Sequence, residues 1–219
     1  MNRYRDRVDA GRVLARRLQP YAGRTDVVVL GLPRGGMPVA HEVARALRAP
    51  LDVFVVRKLG VPGQEEYAMG AIASGGVRVL NADAVGALGI PAHVIDEVAG
   101  RELRELERRE SAYRDGRTPA RLEGRTVIVV DDGLATGASM RAAVQALRKR
   151  NPARIVVAVP VGSAETCARL AREVDEVVCA ATPEPFYAVG PWYDDFEQTT
   201  DDEVHDALAR AAAQTQANP

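Results

Sequence analysis

Five short runs along the chain are almost wholly apolar, rich in β-branched residues and bounded by turn residues or charge: Val27–Gly31, Leu51–Val56, Thr126–Val130, Arg154–Val159 and Glu176–Ala180. Continuous apolarity over such a length predicts strands covered on both faces. Between them, Val39–Leu47, Ile95–Tyr113, Ala138–Arg150 and Ala164–Val174 carry apolar residues at helical spacing. Strands alternating with helices predict an α/β fold, an open parallel sheet with helices on both faces. Met69–Ser74 and Val77–Leu80, separated by Gly75-Gly76, predict a hairpin inserted after the second strand, in the position of a mobile flap. The alanine-rich tail after Leu208 is expected to fray.

A chain of 219 residues suits one well-buried domain. With 47% hydrophobic and 27% charged residues and a formal net charge of -1, it fits neither a disordered nor a membrane protein, and no bulk charge points to nucleic acid. The N-terminus is basic but lacks the apolar stretch of a signal peptide, and no apolar run approaches the ~20 residues that span a bilayer, so the expected location is the cytoplasm. Cys167 and Cys179 lack metal-binding spacing and read as buried reduced thiols; His41, His93 and His205 are scattered and read as ordinary polar positions. The run RELRELERRE reads as the solvated face of a helix with i,i+4 ion pairs.

Chemistry concentrates at Thr126–Ser139, where an apolar strand runs into Asp131 and Asp132 and then into Gly133-Leu134-Ala135-Thr136-Gly137-Ala138-Ser139, a small-residue loop that opens a helix. In a parallel sheet such a loop lies at the carboxyl edge, where ligands bind. Small residues let backbone N–H groups converge, and the helix N-terminus adds a positive dipole end, which together suit a phosphate monoester. Thr136 and Ser139 can add hydroxyl donors. Two adjacent carboxylates suit vicinal sugar hydroxyls, so the acid pair reads ribose and the loop reads its 5′-phosphate. A plain turn with Ser139 capping the helix would explain neither the double acid nor the Thr-Gly-x-Ser.

These residues resemble the motif by which type I phosphoribosyltransferases bind 5-phosphoribosyl-1-pyrophosphate (PRPP). The resemblance implies that family's Rossmann-like fold: a single domain with a core at about 22–181, a flexible loop and hairpin at about 57–80, and a hood at about 182–200 followed by a C-terminal helix. It implies that Gly31-Leu-Pro-Arg34-Gly35-Gly36 is the pyrophosphate loop, with the amides of Arg34, Gly35 and Gly36 and the Arg34 guanidinium facing the diphosphate. Arg57 and Lys58 would be basic residues aimed at the same group, and Leu59–Gly70 would be the flexible loop that closes over the reaction, with Glu65, Glu66 and Tyr67 as unassigned contacts. The aromatic-dense stretch Thr182–Thr200 resembles the hood of purine phosphoribosyltransferases. On that comparison Phe186, Tyr187 and Trp192 would stack on the acceptor and Asp194 would approach the metal, although the basic residue those enzymes use against a 6-oxo group is missing.

The function so implied is that of a Mg2+-dependent pentosyltransferase of nucleotide metabolism, moving a 5-phosphoribosyl group from PRPP to a nitrogen acceptor, a purine-like base being one candidate, with release of pyrophosphate. Magnesium would be bound mainly through PRPP and pyrophosphate. Asp131, Asp132, Lys58 and Arg34 would be the catalytic set, by charge stabilisation and proton acceptance. The expected partners are small molecules and a second copy of the chain, with no membrane or nucleic acid. The alternative is a non-catalytic regulator that senses PRPP with the same fold.

Overall fold

The computed structural model describes residues 3–216. Along the chain run α1 (Arg7–Arg17), β1 (Val27–Gly31), α2 (Gly36–Leu47), β2 (Leu51–Val53), β3 (Val56–Val61), β4 (Gln64–Ala73), β5 (Val77–Leu80), α3 (Ala82–Ala87) and α4 (Ala92–Arg114). They are followed by β6 (Thr126–Val130), α5 (Ala138–Arg148), β7 (Arg154–Val161), α6 (Ala164–Leu170), β8 (Glu176–Ala181) and α7 (Asp201–Gln216).

Five strands form a parallel sheet in the order β2-β1-β6-β7-β8. Its central strands are apolar throughout because each has two buried faces. On one face Val28, Leu30, Val127, Val129, Ile155 and Val157 pack against Met140, Val144 and Leu147 of α5 and Leu170 of α6. On the other, Val27, Val29, Ile128, Val130, Val156 and Ala158 pack against Leu14 of α1, Leu18 just after it, and Val39, Val43 and Leu47 of α2. Each fully buried aliphatic side chain contributes about 1.5–3 kcal/mol relative to exposure, so this double-sided core dominates the stability of the fold.

The strand order reverses between β1 and β6: the chain turns outward to β2 after β1 and the other way, to β7, after β6. Ligands of open α/β sheets bind at such a reversal. Here β1 and β6 pair from Val27↔Thr126 to Gly31↔Val130. The loops beginning at Leu32 and Asp131 therefore leave the sheet side by side.

Three antiparallel strands form a second sheet in the order β3-β4-β5. The segment expected as a flexible loop is largely strand: β3 and β4 pair from Val56↔Ala73 to Val61↔Gln64. Pro62-Gly63 makes the turn, with Gly63 at φ 77°. Leu59, Met69 and Ile72 pack on Ile95, Val98 and Leu106 of α4, and that burial holds the hairpin. The side chain of Glu66 lies outside the described residues. The helix expected to fray after Leu208 continues to Gln216, because Val204, Ala207, Leu208 and Ala211 form a buried stripe at helical spacing. No helix among the described residues is long and apolar enough to cross a membrane.

Candidate active site

The loop after β1 lies directly on the acid pair. A Cβ on Gly36 would sit 2.8 Å from the Val130 carbonyl oxygen and 2.9 Å from the Asp131 Cα, and one on Gly35 would run into the Asp132 carboxylate. Only glycine allows this approach. The peptide Pro33–Arg34 in this loop is cis.

Asp131 and Asp132 are half-buried at the end of β6. The Asp132 amide donates to the Asp131 carboxylate at 2.9 Å. Burial and then the charge of Asp132 push the Asp131 carboxyl well above its ordinary range. Burial also raises Asp132, opposed by the Arg7 guanidinium, whose Nε donates to Asp132 Oδ2 at 2.9 Å. Crowding of this kind, in which one carboxyl resists ionisation while its neighbour is held by a cation, is common where protons are moved.

The small-residue loop is braced from behind by β7 and α6. Leu134 donates its N–H to the Val161 carbonyl and accepts from the Ser163 N–H, both at 2.9 Å. Thr166 Oγ1 donates to the Ala135 carbonyl at 2.7 Å and Arg169 Nη2 to the Thr136 carbonyl at 3.0 Å. The Arg141 N–H takes the Gly137 carbonyl at 2.8 Å. Among the described residues, the N–H groups of Ala135, Thr136, Gly137 and Ser139 have no protein acceptor. Thr136, Ala138 and Ser139 are exposed. N–H groups left open in this way at the start of a helix are suited to an anion.

The basic residues divide. In the pleat of β3, Arg57 and Lys58 point to opposite faces. Arg57 is opposite Ile72 on the α4 side, and its guanidinium is committed to Glu102 of α4 at 2.6 Å. The expectation that both residues aim at one diphosphate thus meets a strand period that separates them. Lys58 is opposite Ala71 and exposed. Arg34 leans toward the start of α7, with Nη1 3.8 Å from Asp201 Oδ1. That ion pair is long and half-exposed, so it restrains Arg34 only weakly.

In the hood, Trp192 belongs to a 3-10 turn, Gly190–Trp192, and lies parallel to Phe186 with ring centroids 6.3 Å apart. The tryptophan expected to stack on an acceptor is thus partly buried against its own hood, in a cluster with Val189, Tyr193 and Phe196. Tyr187 is 87% exposed. Asp194 is exposed and tied through its backbone, donating its N–H to the Tyr4 carbonyl at 2.8 Å. It is the next residue back, Tyr193, that turns inward: its hydroxyl donates to the Asp132 carbonyl at 2.5 Å. Val189 closes over Gly133, where any Cβ would overlap its side chain. Beside Arg7, a cavity of about 350 Å3 opens between Pro38 of α2 and the segment from Asp195 to Glu203.

The sequence pattern does not single out Arg7, Tyr193, Phe196, Thr166 or Arg169. One signal is available: Asp6 caps α1 by accepting from the Asp9 N–H, and Leu14 and Leu18 follow at helical spacing, so α1 can be found. That its first residue reaches Asp132, 125 positions away, cannot.

A family model described as "Phosphoribosyl transferase domain" matches residues 3–182. Two curated proteins from strains of Mycobacterium tuberculosis, named provisionally as phosphoribosyl transferases, are 54% identical over 211 residues, or 96% of this chain. The chain spans about half the length of these relatives, 47%. The crystal structure of TT1426 from Thermus thermophilus superposes with a TM-score of 0.84 at 46% identity, covering 95% of this chain and 98% of that one. A Neisseria gonorrhoeae protein of unassigned function, solved with bound ppGpp, shares the fold at a TM-score of 0.51 and 15% identity, over 100% of this chain and 97% of its own.

Proposed function

Because the chain belongs to the phosphoribosyl transferase domain family and has the type I fold, we propose that it transfers a 5-phosphoribosyl group from PRPP to a nitrogen acceptor, releasing pyrophosphate. The observation that carries this reading is the contact of two strand-end loops at the sheet's reversal, one with Gly35 and Gly36 and the other with an acid pair followed by free amides.

In this reading the Ala135–Ser139 amides hold the 5′-phosphate and Asp131 and Asp132 accept from the ribose hydroxyls. Breaking the C1–O bond builds positive charge on the sugar and negative charge on the leaving group. The Arg34 and Gly35 amides and Lys58 would meet the leaving diphosphate; the Gly36 N–H, expected to join them, instead donates to the Leu32 carbonyl at 3.0 Å. Asp131, whose carboxyl is pushed upward, suits acceptance of a proton from the attacking nitrogen. A single acid pair fits a magnesium ion held mainly by diphosphate and ribose oxygens, which asks for few protein carboxylates. Such an ion would supply charge neutralisation at the diphosphate.

One observation favours the second reading, a PRPP sensor without turnover: the hood's tryptophan is already stacked on Phe186. Calorimetry with PRPP and Mg2+, followed by a screen of bases and small amines read by pyrophosphate release, separates the two. Release with any acceptor supports transfer, binding with no release supports the sensor, and absence of PRPP binding refutes both.

A further inference from the structure

The link between hood and acid pair closes on itself. Arg7 Nε donates to Asp132 Oδ2 at 2.9 Å, and its Nη1 donates to the Glu197 carbonyl at 2.6 Å. The same guanidinium lies 4.0 Å from the centre of the Phe196 ring. Phe196 packs on Tyr193, centroids 4.9 Å apart, and the Tyr193 hydroxyl returns to the Asp132 carbonyl at 2.5 Å. Side chain and backbone of one residue of the acid pair are thus each gripped by a group that also grips the hood. The Arg7 side chain is only 12% exposed and that of Asp132 16%, so solvent screens this contact weakly.

Resting on the PRPP reading, we propose that Arg7 is a positioning residue: by clamping Asp132 to Phe196 and Glu197, it makes the sugar-binding geometry of the acid pair depend on the seating of the hood. Three features support it. A fork of N–H groups lets Arg7 serve two acceptors at once, which a lysine cannot do in the same geometry. Asp131 and Asp132 are adjacent carboxylates in a half-buried site, and the charge of Arg7 offsets their repulsion. The 5′-phosphate cradle is braced by α6 and β7 and shares none of these contacts, so sugar binding and phosphate binding have separate supports.

That separation defines the test, which uses the full chain and calorimetry with ribose 5-phosphate and with inorganic phosphate. In Arg7→Ala, ribose 5-phosphate should bind about tenfold to a hundredfold more weakly, the range for loss of a charge-assisted hydrogen bond, while inorganic phosphate binds as in wild type. Arg7→Lys should recover part of the loss by restoring charge without the fork. Phe196→Leu, which keeps both hydrogen bonds of Arg7 available but removes the ring beneath it, should show a smaller loss of the same kind. Unchanged ribose 5-phosphate affinity in a folded Arg7→Ala protein overturns the proposal, as does equal weakening of both ligands. Failure of the wild-type protein to bind ribose 5-phosphate would instead overturn the PRPP reading on which the proposal rests.

Discussion

Gly36→Ala tests the contact that brings the two loops together. The added Cβ would lie 2.9 Å from the Asp131 Cα and 2.8 Å from the Val130 carbonyl oxygen. Carbon atoms rest at about 3.5–4.0 Å, so loop and strand end must separate by roughly 0.6 Å or more. Both obstacles are backbone and cannot swing aside. Forcing an extra methyl group into such a place costs about 1–3 kcal/mol, and replacing a helical glycine by alanine returns about 1 kcal/mol, leaving a net loss of about 0–2 kcal/mol. The functional effect should be larger, because displacement beyond about 0.5 Å breaks the geometry a binding constellation needs. PRPP affinity should fall at least tenfold. Gly100→Ala in α4 is the control: its nearest neighbour is Arg104 Nη1 at 3.8 Å, so the same change there should stabilise by about 0.5–1 kcal/mol. Urea unfolding and PRPP calorimetry on both variants decide the matter. If Gly36→Ala is stabilised like Gly100→Ala and binds PRPP as wild type does, the packing of loop on acid pair is not as described.

Asp131→Asn should raise stability at neutral pH in the free protein. The folded state holds this carboxyl above its ordinary 3.8, so its own contribution to stability is fully present below that value and is lost as pH rises through it toward the raised value, by about 1.4 kcal/mol for each pH unit between the two. Urea midpoints of the two proteins should coincide near pH ~3.5 and diverge by pH ~8 in favour of Asn; a variant less stable at the higher pH would contradict this. Lys58→Ala should lower kcat for pyrophosphate release more than it raises KM, whereas Arg57→Ala, which leaves Glu102 with Arg101 alone, should lower the melting temperature and leave kcat nearly unchanged. The reverse order would return the diphosphate role to Arg57. Arg114→Met should cost about 3–5 kcal/mol in urea unfolding, since it leaves the buried Asp52 and neighbouring Glu110 without their cation; a loss below about 1 kcal/mol would show that the cluster is solvated.

The frame of the parallel sheet is legible because each strand carries its own signal. Val27–Gly31 and Thr126–Val130 begin and end as expected, and Glu176–Ala180 is short by one residue. Leu51–Val56 reads as one strand, but the chain leaves the first sheet after Val53 and enters the second at Val56, a break that the continuous apolar stretch Val53–Val56 hides. The acid pair and its loop are legible for a local reason too, since acid pair, small residues and helix start are contiguous. Arg57 and Lys58 are also contiguous, and there contiguity misleads: in a strand, neighbours face apart. The hood misleads in the same way by one position, its pattern favouring Trp192 and Asp194 over the Tyr193 between them. Arg7 reaches Asp132 only through tertiary structure, and nothing in the first turn of a basic helix announces it.

The bracing of the small-residue loop settles the sign of the charge it can host. A peptide unit presents an oxygen on one side and a hydrogen on the other, and a turn of four such units can serve cations or anions according to which way they face. With the Leu134, Ala135, Thr136 and Gly137 oxygens fastened to Ser163, Thr166, Arg169 and Arg141, those units cannot rotate without breaking bonds to their neighbours. The Ala135, Thr136 and Gly137 hydrogens are left without a protein acceptor, while that of Ala138 faces the Thr136 hydroxyl. On the proposed reading, an incoming phosphate would find those dipoles already oriented, and the binding free energy that a softer loop would lose in turning its peptides would be available for holding the sugar.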